Sequence, residues 1–203
     1  MADRPLLTEA SDEELVERLQ KAGSGDLRAF DILVERHQAK VMTNCRYISG
    51  SPSDAPDLSQ EVFVKAYFAL KRFEGRSTFG TWIQRIKTNH CLNFVKKKRR
   101  TMVDVDDPAV SGEESLAVDA KGPGRVEQMD EREKIRAVLD DMGENLRIPL
   151  IMCDMDGFSY QEIADEIGIG LSAVKMRILR ARQEFREKYS ALDDLAQASP
   201  PAP

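Results

Sequence analysis

The sequence predicts an all-α chain: two small helical domains joined by a flexible acidic linker, the C-terminal one built around a helix-turn-helix. Three observations carry this. Apolar residues recur near the 3.6-residue period of a helix, as at 58, 62, 66, 69, 70 and 73. No convincing run of alternating strand residues interrupts the pattern. Between the halves, residues 101–124 hold Pro108, Pro123 and three Gly, with six acids and no base through Asp119. Such a stretch has little to bury and reads as a tether. The expected boundaries are 1–100 for the first domain, 101–125 for the linker, 126–192 for the second domain and 193–203 for a disordered tail.

The elements follow in order. Ser11 and Glu14 have the spacing of a capping box, opening a helix that carries Leu15 and Leu19. GSGD at 23–26 breaks it, and Asp26 is placed to cap a second helix with Phe30, Leu33, Val34, Val41 and Met42 on its apolar side. SGSPSDAPD (49–57) is a loop and cap before LSQEVFVKAYFALKRF. EGRST (74–78) is a short break, and a basic helix follows. In the second half, Ser159 and Glu162 repeat the capping-box spacing. Gly168 and Gly170 mark a tight turn, and a longer helix carries Val174, Ile178, Ala181 and Phe185 on one face.

Bulk composition narrows the function. The 203 residues are 41% hydrophobic and 32% charged, which suits a helical globular protein, and the net charge is −5. The first residues lack the basic-then-apolar run of a secretory signal, and no apolar run nears the roughly 20 residues that span a bilayer. A cytoplasmic location is expected. Cys45, Cys91 and Cys153 are far apart and form no CxxC pair, so they read as buried hydrophobes, with no metal and no cofactor. His37 and His90 are the only histidines, and no nucleophile elbow or phosphate loop occurs. No catalytic residue is assigned and the chain is not read as an enzyme.

Against this acidic background, residues 84–100 carry seven Lys or Arg and no acid, ending in KKKRR. Phe73, Phe79, Trp82 and Phe94 lie close to Arg72, Arg76, Arg85 and Lys87. Aromatic faces that stack on bases, beside cations that follow phosphates, suit single-stranded nucleic acid. Residues 172–188 hold six bases against two acids, whereas 154–168 hold five acids and no base. That division places cations on the second helix of the helix-turn-helix (160–179), the element that enters a major groove. Lys175, Met176 and Arg177 are candidates for base edges, and Arg180 and Arg182 for bases or phosphates.

Taken together, D-x-x-Q-E-x-F from Asp57, F-x-x-W-x-x-x-I-x-x-N from Phe79, S-Y-x-E-I-A from Ser159 and V-K-x-R-I-x-R-A-R from Val174 strongly resemble the extracytoplasmic-function (ECF) sigma factors, small bacterial sigma factors that keep only regions two and four. The resemblance covers roughly residues 11–100 and 126–189. It implies binding to core RNA polymerase through a coiled coil of the largest subunit, with Asp57, Leu58, Gln60, Glu61, Phe63 and Lys65 as contacts. It implies that Arg76, Ser77, Thr78 and Phe79 wall a pocket for an extruded minus-ten base. Trp82 packs behind them, and Arg85, Asn89, Asn93, Lys96, Lys97, Lys98, Arg99 and Arg100 track the strand. Ser172, Lys175, Met176, Arg177, Arg180 and Arg182 would read the minus-thirty-five duplex. Promoter DNA and an anti-sigma factor are the other implied partners, for a chain that is monomeric when free and initiates transcription in response to stress.

Three departures stand out. LSAVKM, with Gly170 at a common capping position, replaces the commoner S-x-G-T-V-K-S, Met176 stands where a small polar residue is frequent, and Met142-Gly143 replaces Leu-Pro. A competing reading is a one-component helix-turn-helix regulator that binds duplex DNA without polymerase. The aromatic, basic helix argues against it, because duplex readers have no need of stacking aromatics.

Overall fold

Both capping boxes form. The Ser11 hydroxyl accepts from the Glu14 N–H at 3.2 Å, and the Glu14 carboxylate accepts from the Ser11 N–H at 2.7 Å. The same reciprocal pair joins Ser159 and Glu162. Each satisfies N–H groups that a helix start would otherwise leave unpaired. Replacing Ser159 by Ala should cost about 1 kcal/mol, read as a lower unfolding midpoint in urea.

The structure is a computed structural model that describes residues 4–22, 27–103 and 130–198. It contains α1 (Arg4–Glu9), α2 (Asp12–Ala22), α3 (Arg28–Ser49), α4 (Ala55–Ala69), a 3-10 turn (Leu70–Arg72) and α5 (Phe79–Val103). Then come α6 (Glu131–Asp141), α7 (Glu144–Leu150), a π-helical turn (Ile151–Met155), α8 (Tyr160–Ile167) and α9 (Leu171–Ala198). No strand occurs among the described residues, so the chain is all-α as expected. It divides into two units, residues 1–100 and 101–203. The proposed cap Asp26, linker residues 104–125 and residues 199–203 lie outside the described residues.

Several boundaries differ from the sequence reading. The helix assigned to begin at Asp57 starts at Ala55, with Pro56 in its first turn, where a missing N–H costs nothing. The α5 helix continues past Arg100 to Val103, and α9 runs through the boundary expected at 192. The Lys134 ammonium donates to Asp193 at 2.5 Å, which fastens that part of α9 to α6. Gly168 adopts φ 74, the left-handed value that ends α8, and its N–H reaches the Ala164 carbonyl. Gly170 has no positive φ. Its carbonyl accepts from Val174 instead, so it opens α9.

In the first unit α3 packs on α2 and α4. Its core includes Leu15, Leu33, Val41, Ile48, Val62 and Ile83. Met42, expected on the apolar side of α3, is exposed because it falls one residue beyond the buried Val41. The Sγ atoms of Cys45 and Cys91 lie 3.5 Å apart in this core, both as fully buried thiols with no disulfide between them. In the second unit α7 and α8 pack on α9 around Ile148, Ile163, Val174 and Ile178. Pro149 stands inside α7 and the π turn follows at once. A proline removes a backbone donor and crowds the turn before it, so α7 carries Pro149 at a cost.

Candidate nucleic-acid interface

Helix α4 turns two faces in opposite directions. Leu58, Val62, Phe63 and Ala66 are buried, while Asp57, Gln60, Glu61, Val64, Lys65 and Phe68 share the exposed side. Of the six residues expected to touch a polymerase, Leu58 and Phe63 are therefore core residues, withdrawn by packing of this helix on α3. The sequence reading passed over Val64 and Phe68, which are 56% and 75% exposed. The available signal was the helical period: both fall off the 58, 62, 66 stripe. Large apolar side chains left open beside charges mark a contact surface.

The loop from 73 to 78 is held from several sides. Gln20 donates to the carbonyls of Leu70 and Phe73 at 2.9 and 2.8 Å, a support 50 residues away that no local pattern disclosed. The rings of Phe73 and Trp82 meet at 4.9 Å, and Gly75 takes φ 68 between them in sequence. Arg76 is exposed and ion-paired to Glu74, with its Nε donating at 2.6 Å. The Thr78 hydroxyl accepts from the Thr81 N–H at 3.2 Å and so caps α5. Ser77 is half-buried next to it.

Phe79 does not fit the role of pocket wall. It is fully buried, edge-on to His37 at 5.3 Å and tilted against Trp82 at 5.7 Å. The first turn of α5 points it inward, while Arg76, Ser77 and Thr78 stay at the surface. Trp82, expected beside the minus-ten strand, is half-buried and packs on Phe73 and Phe79.

Along α5, Arg85, Asn89, Asn93, Lys96 and Arg100 are all exposed. Steps of four, four, three and four residues put them on one face. Lys97 and Arg99 are exposed beside it. Lys98 turns away: it is half-buried, 3.5 Å from Asp54 and above the Phe94 ring. Lys87, counted with the basic patch, is fully buried on the opposite face and cannot follow a phosphate. The run KKKRR thus contributes two or three cations to any one side of the helix.

In the second unit Ser172, Lys175, Met176 and Arg180 are exposed near the start of α9, and Arg177 is half-buried. Leu179, 57% exposed, adjoins Met176 one turn on and was not foreseen. Arg182, expected to reach DNA, is exposed and already engaged. It grips Asp154 through two nitrogens, at 3.0 and 2.6 Å, and that contact holds the Asp154 carboxyl below the usual carboxylate range. The pairing places Arg182 on the side of α9 that faces the π turn, beside a cavity of about 390 Å³ lined by Ile135, Leu139, Leu150, Ile151 and Phe185.

Residues 33–101 match the family model described as Sigma-70 region 2, and residues 132–185 match that of Sigma-70, region 4. The RNA polymerase sigma-H factor of Pseudomonas aeruginosa is 35% identical over 192 residues, covering 92% of this chain and 98% of the relative. The ECF RNA polymerase sigma-E factor of Escherichia coli K12 is 36% identical over 188 residues, covering 90% and 96%. Among solved structures, the sigma factor RpoE in complex with the anti-sigma factor NepR from Bartonella quintana shares the fold, with a TM-score of 0.55 at 21% identity, covering 79% of this chain and 96% of that one. Two short stretches of cations on separate helices, each beside an ordered turn, thus coincide with the two conserved regions of one family. The chain belongs to the sigma-70 family of RNA polymerase sigma factors, in its extracytoplasmic-function group.

Proposed function

We propose that this sigma factor docks on core RNA polymerase through the exposed face of α4, with Asp57, Gln60, Glu61, Val64, Lys65 and Phe68 in contact. Its first unit, residues 1–100, then holds the unpaired minus-ten strand. Arg76, Ser77 and Thr78 border the extruded base, and Arg85, Asn89, Asn93, Lys96 and Arg100 run along the backbone. Its second unit, from about residue 126 to α9, reads the minus-thirty-five duplex through Ser172, Lys175, Met176, Arg177 and Arg180. The observation that carries this reading is the single exposed face of α5, because it continues from an ordered loop where a base can leave the stack.

Overall acidity supports a division of labour. A net charge of −5 opposes binding to bulk DNA, so each patch works best when polymerase supplies the rest of the grip. No helix among the described residues is long and apolar enough to cross a membrane. Work with core polymerase, as proposed, puts the chain in the cytoplasm. An anti-sigma protein would cover Val64 and Phe68 or fill the cavity beside Phe185.

Run-off transcription with bacterial core polymerase and the host's upstream regions tests the reading. Discrete starts that depend on this chain support it. Duplex binding without polymerase association or new starts would replace it with a free-standing regulator. Within the complex, Lys96→Gln and Arg100→Gln should each lower the salt slope of minus-ten strand binding by about 0.7 and weaken different sequences alike. Binding isotherms over a salt series check this.

A further inference from the structure

His90 lies on α5 but reaches across to α4, where it meets two side chains of the proposed docking face. Its Nδ1 is 2.5 Å from the Lys65 ammonium, and its Nε2 is 2.9 Å from the Glu61 carboxylate, off the ring N–H axis. The imidazole is mostly covered, while Glu61 is largely open to solvent. Lys65 carries only donors and Glu61, ionised, only acceptors. A neutral ring with its proton on Nε2 suits both neighbours, offering the Nδ1 lone pair to Lys65 and turning the N–H side of the ring toward the Glu61 carboxylate without an aligned hydrogen bond.

We propose that His90 is a positioning residue for polymerase docking: as the Nε2–H tautomer it holds Lys65 in place on α4 beside Glu61, and protonation of the ring releases Lys65. This rests on the assignment of α4 as the docking face. A protonated ring has no lone pair left for Lys65 and sets a second cation against the ammonium, so only the Glu61 contact survives.

The surroundings favour the neutral ring. Burial is the main cause that lowers its pKa below the ordinary value of 6.5, Lys65 lowers it further, and Glu61 opposes both. Among the described residues, the charges that act on the ring are these two, both from α4. Because the folded value lies below the unfolded one, the contribution is complete above 6.5 and is lost as pH falls through the lowered value. Docking is therefore strongest at neutral pH and weakens in acid.

The test measures affinity of the full chain for bacterial core polymerase near pH 7.5 and near pH 4.5, with steps between. Wild type should weaken by about three- to tenfold more than His90→Gln between the two. Glutamine keeps one acceptor and one donor and does not titrate, so this variant should bind well at both. His90→Leu should bind poorly at both, with fluorescence of Trp82, the one tryptophan, confirming an unchanged unfolding midpoint. Imidazole ¹⁵N shifts should report the Nε2–H tautomer for His90 and be told apart from those of His37, the other histidine. The same pH dependence in wild type and His90→Gln, or the other tautomer, overturns the positioning role alone. Absence of polymerase binding at any pH overturns the docking assignment with it.

Discussion

Phe79→Ala is expected to destabilise the first unit by about 3–5 kcal/mol, the cost of emptying a buried aromatic site. For a unit of ordinary stability, about 5–15 kcal/mol, that is a large fraction of the whole. The side chain is fully buried between His37 and Trp82, so the rings around it lose contacts that cannot be recovered by solvent. Trp82 is the single tryptophan and stands in this unit, so its fluorescence follows unfolding of the first unit alone. Phe79→Leu, closer in volume, should cost less than about 1.5 kcal/mol. Normal stability combined with loss of minus-ten strand binding would return Phe79 to the base pocket.

The second large effect is expected on α4. Replacing Val64 and Phe68 together by Ser should lower affinity for core polymerase by about a hundredfold or more, since buried anchors at the centre of an interface each carry about 2 kcal/mol. The unfolding midpoint should barely move, because exposed positions usually change stability by no more than about 0.5 kcal/mol. Leu58→Ala supplies the contrast. It removes a buried side chain and should cost about 2–5 kcal/mol of stability, with affinity restored wherever the unit remains folded. Unchanged affinity in the Val64 and Phe68 variant would remove this face from the docking surface.

These two predictions differ from what the sequence alone recommended, and the reason is the same in each case. The family pattern identified positions 57–65 and 76–79 as functional, and a helix or loop at those positions followed from periodicity. Pattern matching cannot distinguish a position that is kept for contact from one that is kept for packing. Leu58, Phe63 and Phe79 belong to the second kind. Val64 and Phe68, which are not among the residues the pattern specifies, belong to the surface. The His90 contacts were equally hidden, because Glu61 and Lys65 come from another helix 25 or more residues earlier.

What the sequence by itself determined was local or compositional. Capping boxes at Ser11 and Ser159 span three residues, the left-handed end at Gly168 needs one residue, and the basic runs are visible as runs. Helical period, turn chemistry and charge are complete within such windows, so the all-α class and the two-part organisation could be read from them. Tertiary structure alone decided which face of each helix is covered. It buried Lys87, tied Arg182 to Asp154 across 28 residues, brought Cys45 to Cys91 across 46 and set Gln20 beneath the loop at Phe73 across 53. Those outcomes depend on how whole helices cross and fill space against one another. No short window holds that information, because close packing is satisfied by the assembled core and not by any one segment.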